Sequence, residues 1–437
     1  MTFEAAKRYI LNEAKALGLE VEVLATESRT LMLEAQNGKL AETTQATQGG
    51  IGVRAVIAGK TGYASSEELT PEALRWVLSE AKENAELQSS TGAALPQSQA
   101  FGYHDLISEG LSAPLSDKAA AVTLLESELR KDKRTQQIPF ARYTETETQL
   151  SLASTQGADG GYRNGYTGIY ASVIMRDGES LKQGFDMHFE KEFHTLNPGQ
   201  TALNILNKTG RLLGAKPLTT CRTTAYFEPK AFAQLLGVLS YMISGKSLTE
   251  GKSPLADKLG SAIASSQVTL SDDPTLPGGM ASRPFDSEGT PAQALKIIER
   301  GIFKSFLHNS ATARETGQPN TGHASRSYKS SLGVSPTNLI LEPGAGVRPQ
   351  DGIIITQLSG VHAGANPISG DISLQALGLL VEGGETLHAV ENFVISGNLL
   401  TVLGNITALG TELEWSLMGP AIATPMVEVA DLSFAGA

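Results

Sequence analysis

The sequence predicts an α+β chain: a duplicated α/β N-terminal domain followed by a β-rich, glycine-rich C-terminal domain. Three observations carry this. A helix–strands–helix pattern occurs twice before residue 215, and Gly38, Gly49 and Gly59 recur as Gly157, Gly168 and Gly178 at a constant spacing of 119. Beyond Ser265 the chain becomes short apolar runs broken by Gly and Pro. With 45 glycines and 6% aromatics in 437 residues, turns are frequent, while 41% hydrophobic residues are enough for a sizeable core.

The elements follow from local pattern. Phe3, Ala6, Ile10, Ala14 and Leu17 recur at helical spacing, and Gly18 is a stop. Strands are expected over Val21–Thr26, Thr30–Gln36 and Gly52–Ala58, with Asn37-Gly38 as a hairpin turn. Thr70 can cap, and Pro71 start, a helix running to about Leu87. Gln88–Gln99 has the composition of a linker. Ser116 can cap a helix with Leu124, Leu125 and Leu129 on one face. Strands over Ala141–Ala153 and Tyr166–Arg176 and a helix over Gln200–Leu213 complete the second half. The N-terminal domain is thus placed at 1–215, with halves at about 1–90 and 116–215, and the C-terminal domain at 216–437. In the latter, Pro229–Ile243 reads as an apolar helix. Strands are expected over Gln267–Leu270, Leu339–Leu341, Ile353–Leu358, Leu377–Val381, Glu391–Ile395 and Val427–Leu432.

Charge and composition exclude several classes. The net charge is −11, and from Asn338 onward ten acids face one base, Arg348. Such a segment repels phosphate and suits a cationic or neutral peptide better than nucleic acid. Cys221 is the single cysteine, so neither an intramolecular disulfide nor a thiolate zinc site can form, as in a reducing compartment. The chain has no 18-residue apolar run, and its charged N-terminus does not read as a signal peptide. The expected location is cytoplasmic, with no membrane and no direct nucleic-acid partner.

The seven histidines form no HExxH pair. Asp186, His188, Glu190, Glu192 and His194 alternate with Phe185, Met187, Phe189, Lys191 and Phe193, which on a strand places all potential ligands on one face. An amphipathic strand with no metal gives the same pattern. GADGG and GAGVRP lack the Lys-Ser/Thr of a phosphate loop, and GxSxG is absent. Polar loops remain: Asp286, Ser287 and Glu288 in PFDSEGT; Thr321, Gly322, His323 and Ser325 in TGHAS; Gly370 and Asp371 in NPISGDIS. Turn chemistry alone favours such residues, and acid/base or binding roles would also use them.

PFDSEGT, TGHAS and NPISGDIS, followed by LLVEGGE and ISGNL, resemble the TldD/PmbA family over nearly the whole chain. Leu235-Leu236-Gly237 and Ile243-Ser244-Gly245-Lys246-Ser247-Leu248 look like its PmbA (TldE) branch. The resemblance implies a cytoplasmic peptidase-related protein that pairs with a TldD-like subunit as a heterodimer, or with itself, and handles unfolded peptides. It also implies a partner helix bearing HExxxH, with a distant Cys, that holds zinc. Here the corresponding helix reads Leu236-Gly237-Val238-Leu239-Ser240-Tyr241-Met242, and no Cys follows Cys221. The resemblance therefore implies a subunit with no metal or catalytic residue of its own, inactive alone. The nine loop residues named above are the expected peptide-binding set. The alternative expectation is a regulatory protein that modulates DNA gyrase without proteolysis.

Overall fold

The structure, a computed structural model, describes residues 1–89, 93–107 and 109–436. Thr2 caps α1 (Phe3–Ala16) by accepting from the Ala5 N–H at 3.2 Å, and the helix buries Ala6, Ile10 and Ala14. Next come β1 (Glu20–Gln36), β2 (Lys39–Ile57), β3 (Lys60–Ser66) and α2 (Pro71–Glu86). The two strands expected over 21–36 are one continuous β1. Two tight turns with positive φ at both central residues, Asn37-Gly38 and Ala58-Gly59, link the three strands. Thr70 caps α2 by accepting from Ala73 N–H, with Pro71 in its first turn.

Of the expected linker, residues 90–92 lie outside the described residues. Its flanks are tied down, with Ala93 N–H donating to Gly59 O (2.8 Å) and Leu95 N–H to Glu20 Oε1 (2.8 Å). Then follow β4 (Ala100–Asp105), α3 (Leu115–Arg130), β5 (Thr135–Ser154), β6 (Asp159–Asp177), β7 (Ser180–Glu190) and α4 (Pro198–Gly210). Two details of α3 differ from expectation. It starts after Pro114, so Ser116 lies inside its first turn and is not the cap. Leu125 and Leu129 are buried but Leu124 is 44% exposed, because neighbours on a helix point about 100° apart.

Both halves join one seven-stranded sheet in the order β3-β2-β1-β5-β6, with β4 and β7 sharing the far edge of β6. The halves meet along β1 and β5, antiparallel from Glu22–Ser154 to Glu34–Arg142. All four helices cover one face. Val21, Val23, Ala25, Ile51, Val53 and Ala55 meet α1 and α2. Ala141, Tyr143, Ile169, Ala171 and Val173 meet α3 and α4. Thus Val23 and Ala25 correspond to Ala141 and Tyr143, one residue less than the glycine spacing suggests. A strand slipped by one residue would turn its apolar set to the wrong face, so burial, not the turn glycines, sets the register.

The C-terminal chain contains β8 (Lys216–Pro217), β9 (Cys221–Phe227), α5 (Pro229–Met242), α6 (Gly245–Thr249), β10 (Leu270–Asp272), β11 (Leu295–Glu299) and β12 (Ile302–Phe303). It continues with α7 (Ser310–Thr316), β13 (Ala324–Ser325), β14 (Gly333–Val334), β15 (Asn338–Leu341), β16 (Gly352–Ser359), α8 (Val361–Gly364) and β17 (Asp371–Glu382). It ends with β18 (Glu385–Asn398), α9 (Leu399–Gly404), β19 (Ile406–Leu409), β20 (Glu414–Ser416), β21 (Ala421–Thr424) and β22 (Val427–Ala435). The strand expected at 267–270 begins only at Leu270. One sheet runs β12-β11-β10-β15-β21-β20. In the other, β22, β9, β16, β17 and β18 pair in turn and β18 pairs back to β22, closing a ring that leaves those five strands without a free edge. α5 buries Phe232, Leu235, Leu236, Leu239 and Met242 in the largest core, with Phe227, Ile353, Ile355 and Leu339.

Candidate functional site

The PFDSEGT loop, between β10 and β11, fastens this domain to the helix-free face of the N-terminal sheet. Phe285 lies 4.0 Å from the Phe101 ring and 5.3 Å from Tyr162, over Leu24, Leu150 and Leu152. Asp286 accepts from Glu288 N–H (2.9 Å), Thr290 N–H (2.9 Å) and Ala324 N–H (3.0 Å). Burial and the charge of Glu288 push its carboxyl up to about 6, against Arg283 and those backbone donors. Ser287 Oγ accepts from Arg326 N–H. Glu288 Oε1 accepts from Arg54 Nη1 of β2 (2.7 Å) and Ser310 Oγ (2.6 Å), and its Oε2 from Ser310 N–H. Arg326 Nη2 donates to Glu22 of β1 at 2.8 Å. β2 also passes so close to the segment between Ser325 and Gly333 that a Cβ on Gly52 would sit 2.2 Å from Tyr328 O.

The TGHAS residues join the same network. His323 Nε2 meets Asp272 Oδ2 at 3.0 Å and its Nδ1 meets Thr321 Oγ1 at 2.9 Å. Thr321 Oγ1 also accepts from His308 N–H. Gly322 turns with φ 71°, and Ser325 is half-buried in β13. Asp286, Ser287, Glu288, Thr321 and His323 are all buried, so in the single chain none of them faces solvent, and Glu288 reaches across the domain junction to Arg54. Gly370 and Asp371 belong to the five-strand ring instead: Gly370 is buried, and exposed Asp371 accepts from Asn398 Nδ2 and Ser369 Oγ.

His308, 1% exposed, lies beside this network, and burial with the nearby His323 lowers its pKa to about 4. Between pH 6.5 and 4 the unfolded chain takes up a proton that the native site refuses, so this contribution to stability is lost as pH falls. Asp286, raised to about 6, gives the opposite slope from its ordinary value up to that pH. In His308→Gln, the loss of unfolding free energy from pH 7 to pH 4.5, measured by urea titration, is expected to shrink by about 1–3 kcal/mol.

The DMHFEKEFH alternation is broken in the structure. β7 stops at Glu190, and His194 lies in a 3₁₀ turn over Phe193–Thr195. Phe185 is 41% exposed while Asp186 is buried, reversing the aromatic-in, polar-out reading at that pair. His188 and Glu190 bond to each other at 2.8 Å. Among the described residues no three His, Cys, Asp or Glu side chains converge as a metal-ion ligand set. The zinc that the family resemblance implies for the corresponding helix does not fit here either. The outward positions of α5 are Lys230, Gln234, Gly237 and Tyr241, none a usual zinc donor. Cys221, half-buried, has its thiol pushed up by burial, away from a reactive thiolate.

What the sequence reading missed is a cavity of about 510 Å³ where β7 and α4 meet α5 and β20. Its wall holds a three-residue ionic clamp. Asp186 of β7 accepts from Lys208 of α4 at 2.8 Å and from Lys230 of α5, and Lys230 also donates to Met187 O at 2.9 Å. Burial opposes the Asp186 charge, but Lys230 and Lys208 outweigh it and hold its pKa below the usual range. Burial likewise opposes the Lys208 charge, and Asp186 with Glu414 outweighs it and raises its pKa. Arg211 pairs with Glu228, which burial pushes up despite that partner. Phe185, Gln234, Leu358, Met418 and Met426 also line the space, and β20, the outer strand of its sheet, contributes Glu414 and Ser416. One signal was legible: Lys230 is a cation at a helix N-terminus, where the dipole disfavours positive charge unless an anion sits close by.

Comparison with known proteins gives matches along most of the chain. Residues 21–85 match a model for PmbA/TldA metallopeptidase domain 1, 109–213 the central domain, and 220–436 the C-terminal domain. The chain is 26% identical over 426 residues to the metalloprotease PmbA of Escherichia coli O157:H7, covering 94% of this chain and 93% of that one. It is 26% identical to a PmbA homolog of Haemophilus influenzae, covering 94% and 91%. A solved Thermotoga maritima structure, whose name marks it as a suspected modulator of a DNA gyrase, superposes with a TM-score of 0.88 at 29% identity, covering 99% of this chain and 100% of that one. TldE from Thermococcus kodakarensis shares the fold, with a TM-score of 0.90 at 21% identity over 99% and 100% of the two chains.

Proposed function

This chain belongs to the PmbA/TldD metallopeptidase family, and from that membership we propose that it is the subunit without a metal site, which holds unfolded peptide for a metal-bearing TldD-like partner. One observation carries the reading. Where the metal-bearing members of the family are expected to present HExxxH, the open side of α5 presents Lys230, Gln234, Gly237 and Tyr241, so no water can be activated there by a bound cation. Yet α5 still borders a 510 Å³ cavity with polar and apolar lining, a form suited to a ligand and not required of a spacer. β20 beside it is an outer strand whose free edge can pair with an extended peptide through backbone hydrogen bonds that ignore sequence. The acidic C-terminal segment favours basic or neutral peptides. No helix among the described residues is long and apolar enough to cross a membrane.

The test mixes this chain, a homologue that carries HExxxH, and an unfolded basic peptide, and follows cleavage. Neither subunit alone is expected to cleave at an appreciable rate, and the mixture is expected to do so with at least about a tenfold gain, roughly 1.4 kcal/mol of barrier. Cleavage by this chain alone would refute the metal-free role. Full activity of the homologue by itself would refute the shared one and favour regulation of another target.

A further inference from the structure

We propose that the cavity beside α5 binds the C-terminal carboxylate of a peptide between Lys208 and Lys230, an assignment that rests on the peptide-holding reading above. The argument starts from charge. The two ammonium groups share one buried carboxylate, Asp186, whose side chain is 8% exposed. Taken alone, the clamp therefore carries one positive charge more than its own carboxylate balances. Around it, Arg211 and Glu228 neutralise each other, and the extra charge is met by Glu414, a 47% exposed side chain in a long ion pair 3.8 Å from Lys208, beyond hydrogen-bond reach and open to replacement by an incoming carboxylate.

Donor geometry agrees. An ammonium has three N–H donors. Lys208 commits one to Asp186, and Lys230 commits two, to Asp186 and Met187 O, so both keep donors for a ligand. Both lysines are about one-third exposed, 34% and 29%, on the cavity side of a buried acid. A carboxylate monoanion can replace the long Glu414 contact charge for charge, whereas a phosphate dianion would meet Glu228 and Glu414 with one charge too many. Phe185 and Met418 give the last side chain an apolar wall, and Glu414 leaves the mouth hospitable to a basic residue further along the peptide.

The same chemistry could come from an Asp or Glu side chain, so the experiment has three probes. Ala-Lys-Phe with a free carboxylate, its C-terminal amide, and Ala-Glu-Phe amide are titrated into the full chain by calorimetry. The free acid is expected to bind at least tenfold more tightly than either amide. Gln234→Glu keeps the side-chain shape and leaves the clamp intact, but adds a negative charge beside it. It is expected to weaken the free acid at least tenfold and the amides little. Met418→Glu, at a 69% exposed position where folding is not at risk, is expected to act in the same direction. Equal affinity for acid and amide, no binding of any probe, or acid binding untouched by both variants would overturn the assignment. Tight binding of the Ala-Glu-Phe amide would overturn its C-terminal part. The titration needs no partner subunit, so its failure is separable from failure of the mixing assay.

Discussion

Glu288→Ala is expected to destabilise the chain by about 3–5 kcal/mol, the cost of leaving a buried charge without its partner. Arg54 and Glu288 are 3% and 1% exposed and bond at 2.7 Å across the junction between the N-terminal sheet and the C-terminal domain. Burial works against the Arg54 charge, and Glu22 and Glu288 outweigh it, so the guanidinium stays charged. With Glu288 gone, Arg54 keeps Glu22 at 3.9 Å as its charged partner and a long 3.5 Å bond to Ala94 O, while Ser310 loses the acceptor for both its N–H and its hydroxyl. Replacing both Arg54 and Glu288 by Met should be milder than the single change, since no lone charge remains. Urea unfolding of the two variants checks this. A double variant worse than Glu288→Ala would mean that the pair stabilises well beyond the cost of its burial.

Asp272→Ala should act at a second point in the same network, with a loss of about 3–5 kcal/mol. Asp272 is fully buried at the end of β10. It accepts from Thr337 N–H (2.7 Å), Thr337 Oγ1 (2.5 Å) and His323 Nε2 (3.0 Å). Alanine leaves those three donors in the interior, each orphan costing about 1–3 kcal/mol less whatever a trapped water recovers. Because His323 also holds Thr321, the TGHAS loop should loosen along with Asp272. Hydrogen exchange at the Ala324 and Ser335 amides, held by Asp286 and by His323 O, should then quicken before global unfolding. Unchanged protection there would show that Asp272 does not anchor the loop.

Both predictions concern loops named from sequence as a peptide-binding set, and the burial of Asp286, Ser287, Glu288, Thr321 and His323 in the single chain has a physical reason that sequence does not carry. Polar, glycine-rich stretches such as PFDSEGT have the composition of surface turns. Whether they meet water or a buried counter-charge depends on the partner, and Arg54 lies 234 residues from Glu288 while Glu22 lies 304 from Arg326. No local pattern carries such pairings.

Short-range signals determined the rest. The Asn37-Gly38 turn, the Thr70-Pro71 start of α2, the helix over Pro229–Met242 and the β-rich texture after Ser265 are written in neighbouring residues, whose sterics and spacing act whatever the distant chain does. The sequence also settled that α5 lacks HExxxH, because side-chain identity needs no coordinates. Tertiary structure decided what depends on two surfaces meeting. It set the strand register one residue away from the glycine spacing, turned Leu124 outward, and buried Asp286, Glu288 and His323. It also drew Asp186, Lys208 and Lys230 from three separate elements into one clamp, because a buried carboxylate stays charged only where cations from elsewhere in the fold reach it.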